Sequence, residues 1–156
     1  MRTHRLMTIL PALLLALAAQ AQSVPDFSGT WVLNPGKGQN LGMVAAIQET
    51  LEVSQDTTTL VVKHTAVFQG RASERTVTYD LTGEPMTNEQ AMGEVSETIT
   101  SVVGDELMTT WTTEGAIAGT TSTRTETRAL TDGGLAMTVT TVRGDNPPMV
   151  MVYEKR

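Results

Sequence analysis

The run Ser122-Thr123-Arg124-Thr125-Glu126-Thr127-Arg128 spaces three charged side chains two residues apart. In an extended chain that spacing puts Arg124, Glu126 and Arg128 on one face and the threonines on the other. Turned outward, such a face is a self-neutralising ladder of ion pairs, the arrangement favoured by the several-kcal/mol cost of burying charge. Turned inward, an arginine left partly unpaired is suited to receive an anionic head group through charge-assisted hydrogen bonds. Other reactive residues are scarce. There is no G-x-S-x-G and no cysteine, and His64 is the single histidine beyond residue 21, so no nucleophile with a base and an orienting partner is legible. His64 lies in an apolar strand-like run, where a ring satisfied by a neighbour is expected rather than a general base. Glu94 and Glu97 fall on opposite faces of one strand and Asp105-Glu106 in a turn, and both pairs read as solvated surface. Zinc needs several His or Cys ligands and calcium a spaced carboxylate loop; neither pattern occurs. No cofactor motif is present. Arg143-Gly144-Asp145 opens the Pro-rich segment Arg143–Pro148 and reads as turn chemistry.

The elements that must position these groups are strands. Threonine and valine crowd runs such as Thr57–Val62 and Met137–Val142, and β-branched residues fit a pleated, half-buried surface better than a helix. The alternation predicts strands near Gly29–Leu33, Ile47–Ser54, Thr58–Phe68, Glu74–Leu81, Val95–Val103, Glu106–Thr113, Thr120–Leu130, Leu135–Arg143 and Met149–Lys155. Gly104-Asp105 and Thr131-Asp132-Gly133-Gly134 supply the positive φ of tight hairpins, so consecutive strands are antiparallel neighbours. Asn34–Asn40 is a loop. Leu41–Ile47 is expected to close into a short helix, and Thr87-x-x-Gln90 to cap a single helical turn ended by Gly93. Period two groups Leu60, Val62, His64, Ala66 and Phe68 on one face, Leu135, Met137 and Val139 on another, and Met149, Met151 and Tyr153 on a third, without saying which face is inward. The fold class is all-β: an antiparallel up-and-down barrel of roughly eight to ten strands.

The first 21 residues have a different purpose. Arg2 and Arg5 form a basic start, Leu6–Ala19 a short apolar core, and Ala19-Gln20-Ala21 a small-residue cleavage site, the order of a secretory signal peptide cut after Ala21. An apolar run of roughly 14 residues is short of the ~20 needed to cross a bilayer as a helix, so no span is expected in the mature chain, which would be secreted or periplasmic. Removing the leader leaves one domain, residues 22–156, and moves the net charge from −6 to about −8. Nucleic acid is an unfavourable partner, because phosphate contacts need clustered Lys and Arg and here they are scattered.

The segment Pro25-Asp26-Phe27-Ser28-Gly29-Thr30-Trp31-Val32-Leu33-Asn34, with Lys37 following, resembles the opening strand of the calycin superfamily, in which lipocalins carry G-x-W and fatty-acid-binding proteins F-x-G-x-W. It is also similar to exported bacterial proteins that begin D-F-S-G-T-W-x-L-N-x-x-K and end in a strand like Val152-Tyr153-Glu154-Lys155. The likeness touches both ends of the chain and includes the hairpin Arg128–Leu135. It implies a lipocalin-like barrel with Trp31 plugging one end, Gly29 permitting close backbone approach and Phe27 beside them, all three structural. It also implies an arginine packed over the tryptophan; Arg143 and Arg156 are the candidates. Fatty-acid-binding proteins hold a carboxylate with an arginine and an R-x-Y pair in the last strand. Tyr153 matches the tyrosine, and Met151 stands where the arginine would be.

The resulting expectation is non-covalent binding of a small apolar or amphipathic molecule inside the barrel. Leu60, Val62, Met137 and Met151 would form the apolar wall, Arg124, Arg128 and Tyr153 the polar contacts, and Leu41–Ile47 and Pro85–Met92 would lie over the mouth. The alternative is a packed barrel acting as a structural or protein-interaction module. An enzyme ranks third.

Overall fold

Ten antiparallel strands follow one another: β1 (Gly29–Leu33), β2 (Gln48–Gln55), β3 (Thr59–Phe68), β4 (Arg71–Asp80), β5 (Met86–Glu89), β6 (Val95–Val103), β7 (Glu106–Glu114), β8 (Thr121–Thr131), β9 (Ala136–Val142) and β10 (Met149–Lys155). The computed structural model describes residues 24–156, so the expected leader and the expected cleavage site at Ala19-Gln20-Ala21 lie outside the described residues. The sheet order is β4-β3-β2-β1-β10-β9-β8-β7-β6-β5. Every hydrogen-bonded neighbour is therefore a chain neighbour except β1 and β10, which join the two ends of the chain through Trp31↔Lys155 and Leu33↔Tyr153. The up-and-down barrel expected from the hairpin spacing is what the chain forms.

The barrel does not close by a continuous ladder. β4 and β5 lie side by side without strand pairing, and Asn88 bridges them instead. Its Oδ1 accepts the Thr78 amide at 2.9 Å while its Nδ2 donates to the Thr78 carbonyl at 2.8 Å. One side-chain amide thus supplies the donor and acceptor that an opposing backbone would supply. This use of Asn88 explains a departure from expectation. Thr87–Gln90 is not a capped helical turn but part of β5 and its turn, because pairing of Met86–Glu89 with Val95–Thr98 outweighs a one-turn capping pattern.

Elsewhere the local signals hold with modest shifts. The β3–β4 hairpin turns on Gln69 and Gly70, both at positive φ, so β4 begins at Arg71 rather than Glu74. Leu41–Ile47 contains a 3-10 helix at Gly42–Ala46, and a second 3-10 turn spans Pro35–Lys37, with Asn34 Oδ1 accepting the Gly36 amide at 3.0 Å.

One end of the barrel is apolar and packed. Phe27, Trp31, Val62 and Met137 are fully buried, with Leu51, Val53, Leu60 and Leu107 around them. Trp31 Nε1 donates to the Phe27 carbonyl at 2.9 Å, which satisfies the single polar atom of the plug. The cation over the indole is Lys155, 5.1 Å from the ring centroid, and neither Arg143 nor Arg156 takes that place. Gly29 has φ +135°, and a Cβ there would lie 2.8 Å from Lys155 Cε. A glycine is needed both for that backbone angle and for the lysine to cross the tryptophan.

Candidate functional site

The other half of the interior is polar. The ladder of Arg124, Glu126 and Arg128 points inward, which overturns the outward arrangement favoured by the cost of burying charge. Glu126 and Arg128 are both buried, and they pay that cost with partners. Arg128 Nη2 lies 3.0 Å from Glu126 Oε1. Tyr79 from β4 donates its hydroxyl to the same carboxylate oxygen at 3.1 Å and accepts from Arg128 Nη2 at 3.3 Å. The Arg128 guanidinium also lies 4.9 Å from the Tyr79 ring centroid, and Arg124 stacks 4.2 Å from that of Trp111 in β7. The two aromatics meet edge to face at 6.0 Å. β8 has no apolar face to turn inward, so these aromatic surfaces on β4 and β7 decide its orientation by accepting the guanidinium planes.

A second cluster stands on β2, β3, β4 and β10. His64 Nδ1 is 2.8 Å from Glu49 Oε1, and Tyr153 donates to Glu49 Oε2 at 2.7 Å. Arg75 Nη2 lies 3.0 Å from His64 Nδ1 and 3.8 Å from Glu49. Register places them together: His64 is opposite Leu51 on β2 and Arg75 on β4.

Burial shapes the charges of both clusters. Desolvation pushes the Glu49 carboxyl up, but the hydrogen bonds from His64 and Tyr153 and the charge of Arg75 outweigh it and hold the pKa below the ordinary value. For His64 burial prevails and lowers the pKa, against the opposing pull of Glu49. Burial also lowers Arg124. Burial opposes the charge of Arg128 too, but Tyr79 and Glu126 more than offset it. Both tyrosines stay protonated, raised first by desolvation and then by the adjacent carboxylates, Glu126 for Tyr79 and Glu49 for Tyr153.

Between the clusters lies a small, partly open cavity of about 70 Å³. Its wall is formed by both charged groups together with Leu51, Val77, Trp111, Val139 and Met151. With His64 neutral, three arginines face two glutamates there. Several buried donors have no partner among the described residues: Trp111 Nε1, Arg124 Nε, and Arg128 Nε and Nη1. A buried donor left unpaired costs about 1–3 kcal/mol, which acceptor atoms of a water or a ligand would relieve. A space of this size holds a compact group or a few waters; drug-sized pockets run to ~300 Å³ and above.

Arg124, Arg128, Met151 and Tyr153 line the cavity, whereas Leu60, Val62 and Met137 are packed in the apolar end. The sequence reading missed Glu49, Arg75, Tyr79 and Trp111. Tyr79 and Trp111 stand at alternating strand positions that fix a face, but nothing local links either to β8. Outside the cavity a larger open groove of about 440 Å³ runs beside the 3-10 helix at Gly42–Ala46, lined by Val32, Pro35, Ala45 and Ile47, and shares Glu49 with the interior. Neither Leu41–Ile47 nor Pro85–Met92 lines the cavity itself; Ala45, Ala46 and Ile47 border the outer groove instead. Among the described residues no cluster of three or more His, Cys, Asp or Glu could hold a metal ion, and no helix is long and apolar enough to cross a membrane.

No protein-family model and no curated protein matches the chain in sequence. Solved structures do match in shape. Apo lipid binding protein 8 of Caenorhabditis elegans superposes with a TM-score of 0.65 at 14% identity, over 90% of this chain and 100% of that one. The Schistosoma mansoni fatty acid binding protein in complex with arachidonic acid gives 0.64 at 16% identity, over 83% of this chain and 96% of that one. Human cRBP IV gives 0.62 at 13% identity, over 85% and 99%. At these identities the likeness speaks to the fold alone: the chain forms a nearly closed, ten-stranded antiparallel barrel similar to those of these lipid- and fatty-acid-binding proteins.

Proposed function

We propose that this protein is a non-enzymatic binder of a small amphipathic anion, whose acid group sits inside the polar half of the barrel. The observation that carries this is the set of buried, unpartnered donors of Trp111, Arg124 and Arg128 around the small cavity. Acceptor oxygens of a carboxylate or phosphate would complete those donors by charge-assisted bonds, while Leu51, Val77, Val139 and Met151 meet a short apolar portion. The neighbouring folds, described as lipid- and fatty-acid-binding proteins, support binding over catalysis. The volume argues for a compact ligand in place of a long acyl chain. The signal-like order of residues 1–21 supports binding outside the cytoplasm, and N-terminal sequencing of exported protein should begin at Gln22 or within a residue or two of it.

The test pairs butanoate with butanol, followed by NMR titration against wild type and Arg124→Gln. Arg124 makes no salt bridge among the described residues, so its loss leaves no carboxylate stranded. Losing a charged hydrogen bond costs about 1.5–3 kcal/mol, so the acid should weaken about tenfold or more while the alcohol changes little. Equal weakening of both removes Arg124 from the site. Saturable binding of neither favours a second reading, a packed interaction module, which the modest cavity volume supports.

A further inference from the structure

The donors of the cavity are matched by one acceptor that a simple acid leaves unused. A carboxylate only accepts hydrogen bonds. Both Glu49 oxygens are engaged, Oε2 by the Tyr153 hydroxyl and Oε1 by His64 Nδ1 at 2.8 Å. Two contacts compete for Nδ1: Glu49 Oε1 accepts from it when it carries the proton, and Arg75 Nη2, at 3.0 Å, donates to it when it does not. The shorter contact, to a charged acceptor, favours the neutral ring with its proton on Nδ1, which leaves Arg75 as a charge partner for Glu49. With Nδ1 protonated, the lone pair of the neutral imidazole is on Nε2. That atom is buried and has no partner among the described residues, and His64 is 8% exposed on the cavity wall.

We infer that the ligand is a hydroxy acid: its acid group meets the Arg124–Arg128–Trp111 wall and its hydroxyl donates to His64 Nε2. The inference rests on the acid-binding reading above and adds a second polar group to the ligand. A plain alkanoate completes the donors and leaves His64 Nε2 unsatisfied. A hydroxyl close to the acid group satisfies both walls of a cavity too small to separate them widely. Burial keeps the ring neutral near pH 7, which preserves its role as acceptor. Glu49 is the positioning residue, since it selects the tautomer. A site that hydrogen-bonds a hydroxyl discriminates strongly against the analogue lacking it, because its own buried group is then unpaired.

Two measurements on the purified protein test this. The first is the ¹⁵N–¹H correlation of the His64 imidazole at neutral pH without ligand. A proton on Nδ1 is expected, and a proton on Nε2 would overturn the inference without any variant. The second titrates 3-hydroxybutanoate (both enantiomers) and butanoate against wild type and His64→Phe. The preferred enantiomer should bind wild type about tenfold tighter than butanoate, and in His64→Phe the ratio should collapse to about one. Equal, saturable binding of hydroxy acid and alkanoate to wild type sinks the hydroxyl contact and leaves the acid site standing. Saturation by neither removes both readings together.

Discussion

The two halves of the barrel interior solve opposite problems with the same backbone. At the Trp31 end, Phe27, Trp31, Leu51, Val62 and Met137 exclude water and leave almost nothing unpaired. At the other end, His64, Glu126 and Arg128 are buried as well, with Glu49 and Arg75 half-buried beside them, yet several donors and one ring nitrogen remain open. Burying apolar area stabilises at roughly 25 cal/mol per Å², whereas a buried ion pair often does no better than apolar residues of the same volume. The first half therefore stabilises the fold. The second is the half proposed to recognise a ligand, and its unpaired groups are tolerable where a ligand or water completes them.

Substitutions that strand one group should separate the halves most sharply. Trp31→Ala empties the plug and is expected to cost about 3–5 kcal/mol in chemical denaturation, as large aromatic deletions do. Glu126→Leu should cost a similar ~3–5 kcal/mol because it leaves Arg128 buried without its carboxylate, but the double variant Glu126→Leu/Arg128→Met should recover most of that loss. No second substitution of that kind should rescue Trp31→Ala. If the Glu126 and Arg128 effects simply add, the pair is not the closed unit described here.

The seam between β4 and β5 should give a smaller effect. Asn88→Ala strands the Thr78 amide and carbonyl, so about 1–3 kcal/mol is expected, with faster hydrogen exchange at Thr78 than at residues of the β2–β3 ladder. Unchanged exchange at Thr78 would mean that the side chain does not hold the seam.

The gentlest probe is pH. His64 in the folded protein is held below its ordinary value of 6.5 and Glu49 below 4.5. In both cases the unfolded chain takes up a proton first as pH falls, so stability declines on acidification. The decline should begin below about pH 6.5 from His64 and resume below about 4.5 from Glu49. His64→Gln should flatten the first step and leave the second. His64 is the one histidine among the described residues, so the first step is its own; Asp26, Asp56, Asp80 and Glu154 are also held below their ordinary values and add to the second. A profile flat from pH 7 to 5 in wild type would contradict the buried, neutral ring.

How much of this was legible in one dimension differs from strand to strand. β3 reads as a strand at once, because period two keeps Leu60, Val62 and His64 on one face, and burial in the barrel makes that face the inward one. β8 does not, since its alternation is threonine against charge and neither face is apolar. The short β5 was masked by a capping pattern, because its reason for being a strand is its pairing with β6 beyond the next turn. The arginine expected over Trp31 turned out to be Lys155, a choice made by the pairing of the first and last strands.

From its order of residues alone this chain is bound to be a succession of antiparallel hairpins with an aromatic plug near the start. Period-two alternation and positive-φ turns act within about ten residues and need no distant partner. Which way the charged face of β8 points, and whether its charges can be buried at all, depends on Tyr79, 47 residues from Glu126, and on Trp111. Local propensity carries no information at that separation. Only closing the barrel brings an aromatic wall, a carboxylate and two guanidinium groups within hydrogen-bonding distance, and there the energy of their mutual contacts outweighs the desolvation that the isolated strand would avoid.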